Sequence, residues 1–515
     1  MRILYSTLVL FILLAAGCKP DGNVLLPDAP DTRLEFDSII LNGAQPWQTK
    51  LTMRWLGNSK TSIVTGYRVM WTYGPIADPV AELAKTPLIS RSDSAFRFTI
   101  SENKNRIWFY AQAFDRNGQG DPSPALLILP LRNTPPVLKI QASSMAQTDS
   151  VTNVITIPWT GSDLDGDDTW DTVEVKANNG NWVSLPKGFS LLSIVAENPA
   201  SPAEGNAIIY GGAVPVLITK NAGGISTPVK LSGWKPGAIN TVYMRNRDQS
   251  RAYSKTDSTK PYFVTLKKSD LMVINANSGK HASGDPAPFD VYGPALASAA
   301  PLGYDYWDLV TGGGKNLPYY PIANMQVTLG LYKKVVFLGE VNKSLNKRDT
   351  TQLVLEYHAG ALLNYKNNGG KLLIISRLPT RAGALPSNST FYALIPVTGF
   401  LGKNDPDLRI YPGDASLVPA LNTGYPEMPY TGRSALTGLD VFNIQGNGEQ
   451  AFTISKITVS PVTSTWSGGN TMALRQRYDN GKLNYVFIAA DLQLFNAPGK
   501  VNTLFDKILN DDFNW

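Results

Sequence analysis

Through the first half of the chain, apolar and polar positions alternate with a period of two in short stretches divided by turn residues. Leu51-Thr52-Met53-Arg54-Trp55 and Gly66-Tyr67-Arg68-Val69-Met70-Trp71 read this way, as do Phe96–Ile100 and Ile107–Asp115. A half-buried strand gives this pattern, because successive side chains point to opposite faces of a sheet. Strands at such density, separated by Asn-Gly and Gly-Asp turns, predict a β-sandwich over residues 32–132. The scheme repeats over 137–266, with Ile155–Trp159, Asp171–Lys176 and Thr241–Asp248 as its strands and an irregular insertion at roughly 183–230.

The pattern changes near residue 268. Leu271–Asn275, Lys334–Gly339, Lys371–Ser376 and Tyr485–Ala490 are continuous apolar runs, which mark strands buried on both faces of a parallel sheet. Thr351–Asn367 places Leu355, Tyr357, Leu362 and Tyr365 at helical spacing, and Gly369-Gly370 would end that helix. A closing helix is expected at about 499–510, with Val501, Leu504, Phe505 and Leu509 on one face. Strand and helix in alternation predict a doubly wound α/β domain over 268–515, interrupted by a β-rich insertion at about 400–475.

The amino terminus has a different character. Arg2, an uncharged apolar run to Leu14 and the small residues Ala15-Ala16-Gly17 have the form of a secretory signal peptide, too short for an ordinary spanning helix. Cys18, the only cysteine, follows directly. These residues resemble a bacterial lipobox, with Ala15 in place of the commonest leucine. The resemblance implies cleavage after residue 17, acylation of Cys18 and a tether over 18–31. A plain signal peptide with an incidental cysteine accounts for the same residues. Lys19 stands where aspartate would signal inner-membrane retention, so the outer membrane is the expected location, with its periplasmic or surface face open.

Composition narrows the chemistry. With 47 Lys and Arg against 41 Asp and Glu over 515 residues, and no basic block, nucleic acid is not an expected partner. Two histidines and one cysteine exclude thiolate zinc sites, iron–sulfur clusters and a disulfide within the chain.

Two resemblances follow from the motifs. Trp55 on an early strand, Gly66-Tyr67-x-Val69, Ala113-x-Asp115-x-x-Gly118 and the linker Asn133-Thr134-Pro135-Pro136 are similar to a fibronectin type III module, and 137–266 to a divergent fibronectin or immunoglobulin-like one. Val335–Glu340, the helix after it and Asn367-Asn368-Gly369-Gly370-Lys371-Leu372-Leu373-Ile374 look like the class I glutamine amidotransferase-like fold, of flavodoxin-like type. That resemblance implies a cysteine nucleophile at an elbow after the Gly-Gly strand and a His-x-Glu pair downstream. Here the elbow reads Ile375-Ser376-Arg377-Leu378-Pro379, and no histidine follows His358, so the family's triad is absent.

Other constellations are weaker. Ser376 with His358 and Glu340 or Glu356 is a conceivable triad, but a mid-helix histidine is better read as packed or surface. No catalytic residue is assigned, with Ser376 and His281 as candidates. Lys280, His281, Asp285 and Arg377 lie after strands and would share a ligand pocket at the sheet's carboxyl end, unless the loop is simply polar surface. Asp163, Asp165, Asp167 and Asp168 form an acidic stretch that a tight acidic turn explains best and that would also suit calcium. No other cofactor is expected. Tyr411, Tyr425, Tyr430, Phe442 and Trp466 in the insertion suit saccharide stacking or core packing.

These readings give a lipid-anchored envelope protein that binds or scaffolds a polysaccharide or an envelope complex without catalysis. The alternative is a glycan, ester or amide hydrolase using Ser376, Arg377 or carboxylates such as Asp405, Asp407 and Asp440.

Overall fold

A computed structural model describes residues 28–36, 50–98, 106–130, 133–164, 170–249, 251–279, 284–310, 313–378, 385, 388–398, 407–421, 423–461, 466–478 and 480–514. The leader, Cys18, Asp165, Asp167, Asp168, Lys280, His281 and Asp405 lie outside the described residues. Two compact units emerge, one built on the chain to Pro136 with Ser162–Asp171 and Arg247–Ser254, the other on Val137–Gly161, Thr172–Asn246 and Lys255–Trp515. Among the described residues no helix is long and apolar enough to cross a membrane.

In the first unit, strands Asp31–Phe36, Lys50–Asn58 and Asp93–Arg97 form one sheet, and Val64–Thr72, Arg106–Asp115 and Ala125–Pro130 another. Leu51, Met53 and Trp55 face inward while Thr52 and Arg54 face out, as their alternation requires. Trp55 is fully buried, stacks on Phe109 and donates its indole N–H to Arg91 O at 2.8 Å. The strand expected at 96–100 begins earlier, at Asp93, because Lys50–Arg54 pairs with Asp93–Arg97.

In the second unit, Val183–Pro186, Trp170–Ala177, Val242–Asp248 and Asp257–Ser258 form one sheet of a second sandwich. The facing sheet holds Val137–Ile140, Val154–Ser162, Leu191–Ala196 and Gly205–Gly211 in sequence across its width. The segment at 183–230 is thus no appendage. Its strand Leu191–Ala196 is buried at every position and pairs directly with Val154–Pro158.

The α/β body of the same unit contains strands β1 (Leu271–Asn275), β2 (Asp305–Asp308), β3 (Lys334–Leu338), β4 (Lys371–Ile375), β5 (Ser416–Pro419), β6 (Met428–Pro429), β7 (Glu449–Ile454), β8 (Thr471–Arg477) and β9 (Leu483–Ile488). They form one nine-stranded sheet in the order β2-β1-β3-β4-β9-β8-β7-β5-β6. The first five are parallel and the remainder antiparallel. Part of the β-rich insertion therefore extends the main sheet, while Asp407–Ile410, Leu436–Thr437 and Thr458–Ser460 form a separate three-stranded sheet. Helices α1 (Pro288–Ala299) and α5 (Lys500–Asp506) pack with Leu271 and Val273 on one face. Helices α2 (Pro321–Leu329), α3 (Val354–Asn367) and α4 (Thr390–Leu394) pack with Met272 and Ile274 on the other. Alternate residues of each central strand enter opposite cores, which is why their runs are continuously apolar.

Sandwich and α/β body share a small apolar core of Val154, Val195 and Val327. Polar contacts close it: Asn324 Nδ2 donates to Thr156 Oγ1 at 3.0 Å, Ser193 Oγ to Ala323 O at 2.8 Å, and the Tyr332 hydroxyl reaches Asn153 Oδ1 at 2.6 Å.

Candidate functional site

The parallel strands end in a common crevice, where loops converge and ligands of open α/β sheets bind. Asn277 follows β1, Glu340 follows β3, Arg377 follows β4 and Asp491 follows β9. With Asp285, Tyr430, Gln493 and residues 434–437 they line a cleft of about 310 Å³. The two described members of the predicted pocket, Asp285 and Arg377, thus do meet there.

The cleft walls are held by hydrogen bonds. Glu340 Oε2 accepts from Ser278 N at 2.8 Å and Ser278 Oγ at 2.7 Å, and Asp285 Oδ1 accepts from Arg433 N at 2.9 Å. Arg377 is committed to structure: Nε pairs with Asp440 Oδ2 at 3.1 Å, and Nη2 donates to Thr437 O and Gly438 O. Asp440 also accepts from Leu378 N at 3.0 Å, so one buried carboxylate locks the β4 elbow to the insertion. Burial pushes the Asp440 carboxyl up to about 6 against the pull of Arg377.

Asp491 differs. Its carboxylate makes no hydrogen bond with any other described residue, yet it lines the cleft. Burial raises it above the usual carboxylate range, against the pull of Arg377 and with help from the charge on Glu340. Tyr430, which donates to Ser434 O at 2.7 Å, is pushed up to about 12 by burial and by the charges on Asp285 and Asp491. Among the described residues the cleft thus presents carboxylate oxygens with spare acceptor capacity and one cation, Arg377, already satisfied. It suits a ligand rich in hydrogen-bond donors, such as a polyol.

Among the described residues no triad is assembled here. Ser376 is 2% exposed, donates its hydroxyl to Arg377 O at 3.1 Å and packs on Gly339, where an added Cβ would come within 2.5 Å of its Oγ. His358 is fully buried inside α3, with Nδ1 2.8 Å from Val354 O, and burial lowers it to about 4. Neither residue offers the other a hydrogen bond. Of the proposed hydrolytic carboxylates, Asp407 pairs with Arg409 at 2.6 Å and accepts from Gly438 N, while Asp440 serves Arg377. Asp163 is buried, and among the described residues no group of three His, Cys, Asp or Glu side chains is placed to hold a metal ion. Tyr425, Tyr430 and Phe442 are buried in the core, Trp466 packs against it, and Tyr411 is exposed.

No family model matches the chain, and no curated protein does. Among solved structures it is similar to the fibronectin(III)-like modules of CbhA from Clostridium thermocellum, at 13% identity, over 45% of this chain and 94% of that one, with a TM-score of 0.15. A two-domain fibronectin type III segment of chicken tenascin matches at 14% identity over 45% and 97%, TM-score 0.18. The central fibronectin-III array of RIM-binding protein matches at 10% identity over 46% and 99%, TM-score 0.13. The sandwich architecture itself stands on the strand pairing described above.

Proposed function

We propose that this protein is a lipid-anchored envelope protein that binds a carbohydrate in the strand-end cleft and does not turn it over. In this reading Cys18 is the acylated anchor at the outer membrane. The two sandwiches are fibronectin type III-like modules, and the α/β body is a flavodoxin-like, class I glutamine amidotransferase-like domain without its triad. The parallel-strand order supports that last assignment, since in chain order of those five strands it runs 2-1-3-4-5.

The observation that carries the binding reading is the Asp491 carboxylate, which faces the cleft without a hydrogen-bond partner among the described residues. Sugar hydroxyls would satisfy it and the second oxygens of Glu340 and Asp285. Screening the mature protein against a glycan array, then titrating the best binder, tests the idea. Asp491→Asn is expected to weaken binding about tenfold, the effect of losing a charge-assisted hydrogen bond. A wild type that captures no glycan would sink it. The anchor is tested separately: an alkyne fatty acid should label wild type and leave Cys18→Ser unlabelled.

One observation favours a hydrolase as the second reading. Asp491, with its raised carboxyl, stands within electrostatic reach of Glu340, the arrangement in which one carboxyl serves as acid and the other as base. Cleavage of the captured glycan, lost in Glu340→Gln, would select it.

A further inference from the structure

A separate cavity, of about 220 Å³, lies where the second sandwich meets the α/β body, a common setting for a ligand pocket. The sandwich supplies Thr152 and Tyr262 to its wall, and the body supplies Asp308 at the end of β2, Asn316 and the pair Tyr319-Tyr320 ahead of α2. These walls are fixed without a ligand. On the sandwich side the Tyr262 hydroxyl donates to Ala146 O at 2.8 Å, and Phe263-Val264 pairs with Ser150-Val151. On the body side the Tyr357 hydroxyl donates to Tyr319 O at 2.8 Å and Arg348 Nε to Leu317 O at 3.0 Å. The Arg348 guanidinium lies 5.3 Å from the centre of the Tyr319 ring, and the Tyr320 ring is tilted against it at 5.1 Å.

The lining selects a ligand class. Among the described residues no Lys or Arg lines the cavity, so an anion would find no counter-ion there. Its single carboxylate, Asp308, already accepts from Val310 N at 3.0 Å. A wholly apolar ligand would fail for another reason. The Asn316 carboxamide and the Thr152 hydroxyl make no hydrogen bond with any other described residue, and would lose water with nothing in its place. Tyr319, 45% exposed, adds aromatic surface to the same wall. A sugar ring meets both demands, because its rim carries hydroxyls and its faces carry C–H groups that stack on aromatic rings. The volume falls below the about 300–1,000 Å³ of drug-sized sites and suits one such ring.

We propose that this cavity binds one ring of a neutral saccharide, stacked on Tyr319 and hydrogen-bonded by Asn316 and Thr152. The ligand class rests on the carbohydrate reading above, but the site is distinct from the acidic strand-end cleft, with which it shares no lining residue.

Saturation-transfer difference NMR of the mature protein tests this, with the methyl glycosides of glucose, galactose, mannose and N-acetylglucosamine titrated in turn. Saturable binding of at least one is expected, with the dissociation constant raised about tenfold in Tyr319→Ala and restored in Tyr319→Phe, which keeps the ring. Asn316→Ala removes no hydrogen bond to a described residue, so it keeps the fold and should weaken binding severalfold even if Tyr319→Ala does not fold. Lys85→Gln, in the first sandwich, should leave the constant unchanged. Binding that is lost in Asp491→Asn yet unaltered in Tyr319→Ala and Asn316→Ala places the sugar in the strand-end cleft, which overturns this site and leaves the cleft reading standing. Absence of saturable binding by all four glycosides also overturns the site, whatever longer glycan the cleft captures.

Discussion

His358 makes the α/β body sensitive to mild acid. Its Nδ1 carries the proton and donates to Val354 O, while Nε2 is buried without a partner among the described residues. Protonating Nε2 would place a charge in an apolar core, so the folded value falls from 6.5 to about 4. A depressed value means that the stabilisation is complete above the unfolded value and is lost as pH falls through the folded one. Between pH 7.5 and pH 5.0 the native state would lose about 2 kcal/mol from this residue alone, from the ratio of the two titration polynomials. His358→Leu removes the titration, and at neutral pH it also removes an unsatisfied acceptor while keeping a similar volume. Urea unfolding of both proteins at pH 7.5 and 5.0, followed by hydrogen exchange of α3, measures the difference of differences, in which cavity effects of the substitution cancel. The wild type should lose about 2 kcal/mol more than the variant across that interval. Equal losses would refute the assignment of a neutral, core-bound imidazole.

Two further perturbations probe the frame that holds the cleft. Tyr332→Phe deletes the hydroxyl that reaches Asn153 Oδ1 at 2.6 Å and Asp305 Oδ2 at 2.8 Å, and should cost about 1–3 kcal/mol in thermal unfolding. Gly370→Ala would put a Cβ 2.3 Å from the Tyr365 ring at the start of β4, and a destabilisation of about 1–3 kcal/mol by the same assay is expected.

The elements most legible in the sequence were those whose burial is simple. Leu51, Met53 and Trp55 alternate because one face of their strand meets a core, and β1, β3, β4 and β9 read as unbroken apolar runs because helices cover both faces. Edge strand β2, Asp-Tyr-Trp-Asp, is too short and polar to show either pattern. Helix α1 was hidden by Pro294 within it, and α2 is short and mostly apolar around its circumference. Strands β5 to β8 looked like an independent insertion, since local alternation carries no information on which sheet a strand will join.

The site was legible in part for the same reason. Arg377 and Asp285 could be placed at strand ends, and Asp491 had the same signal: it is the first polar residue after the run Val486–Ala490. Glu340 stood out only as a triad member, not as a cleft wall. Tyr430 and Asp440 reach the cleft region through long-range pairing of the insertion, which no local pattern encodes. The burial of Ser376 against Gly339 likewise depends on the register between β3 and β4.

The central claim is that the strand-end cleft binds a carbohydrate without turning it over. Its most direct test incubates the mature protein with the glycan it captures best, measuring the dissociation constant and the chain-length distribution of the glycan in the same sample. The account predicts saturable binding, weakened about tenfold by Asp491→Asn, with the glycan recovered intact. Glycan fragments that appear with wild type and vanish with Glu340→Gln would contradict it, as would binding indifferent to Asp491.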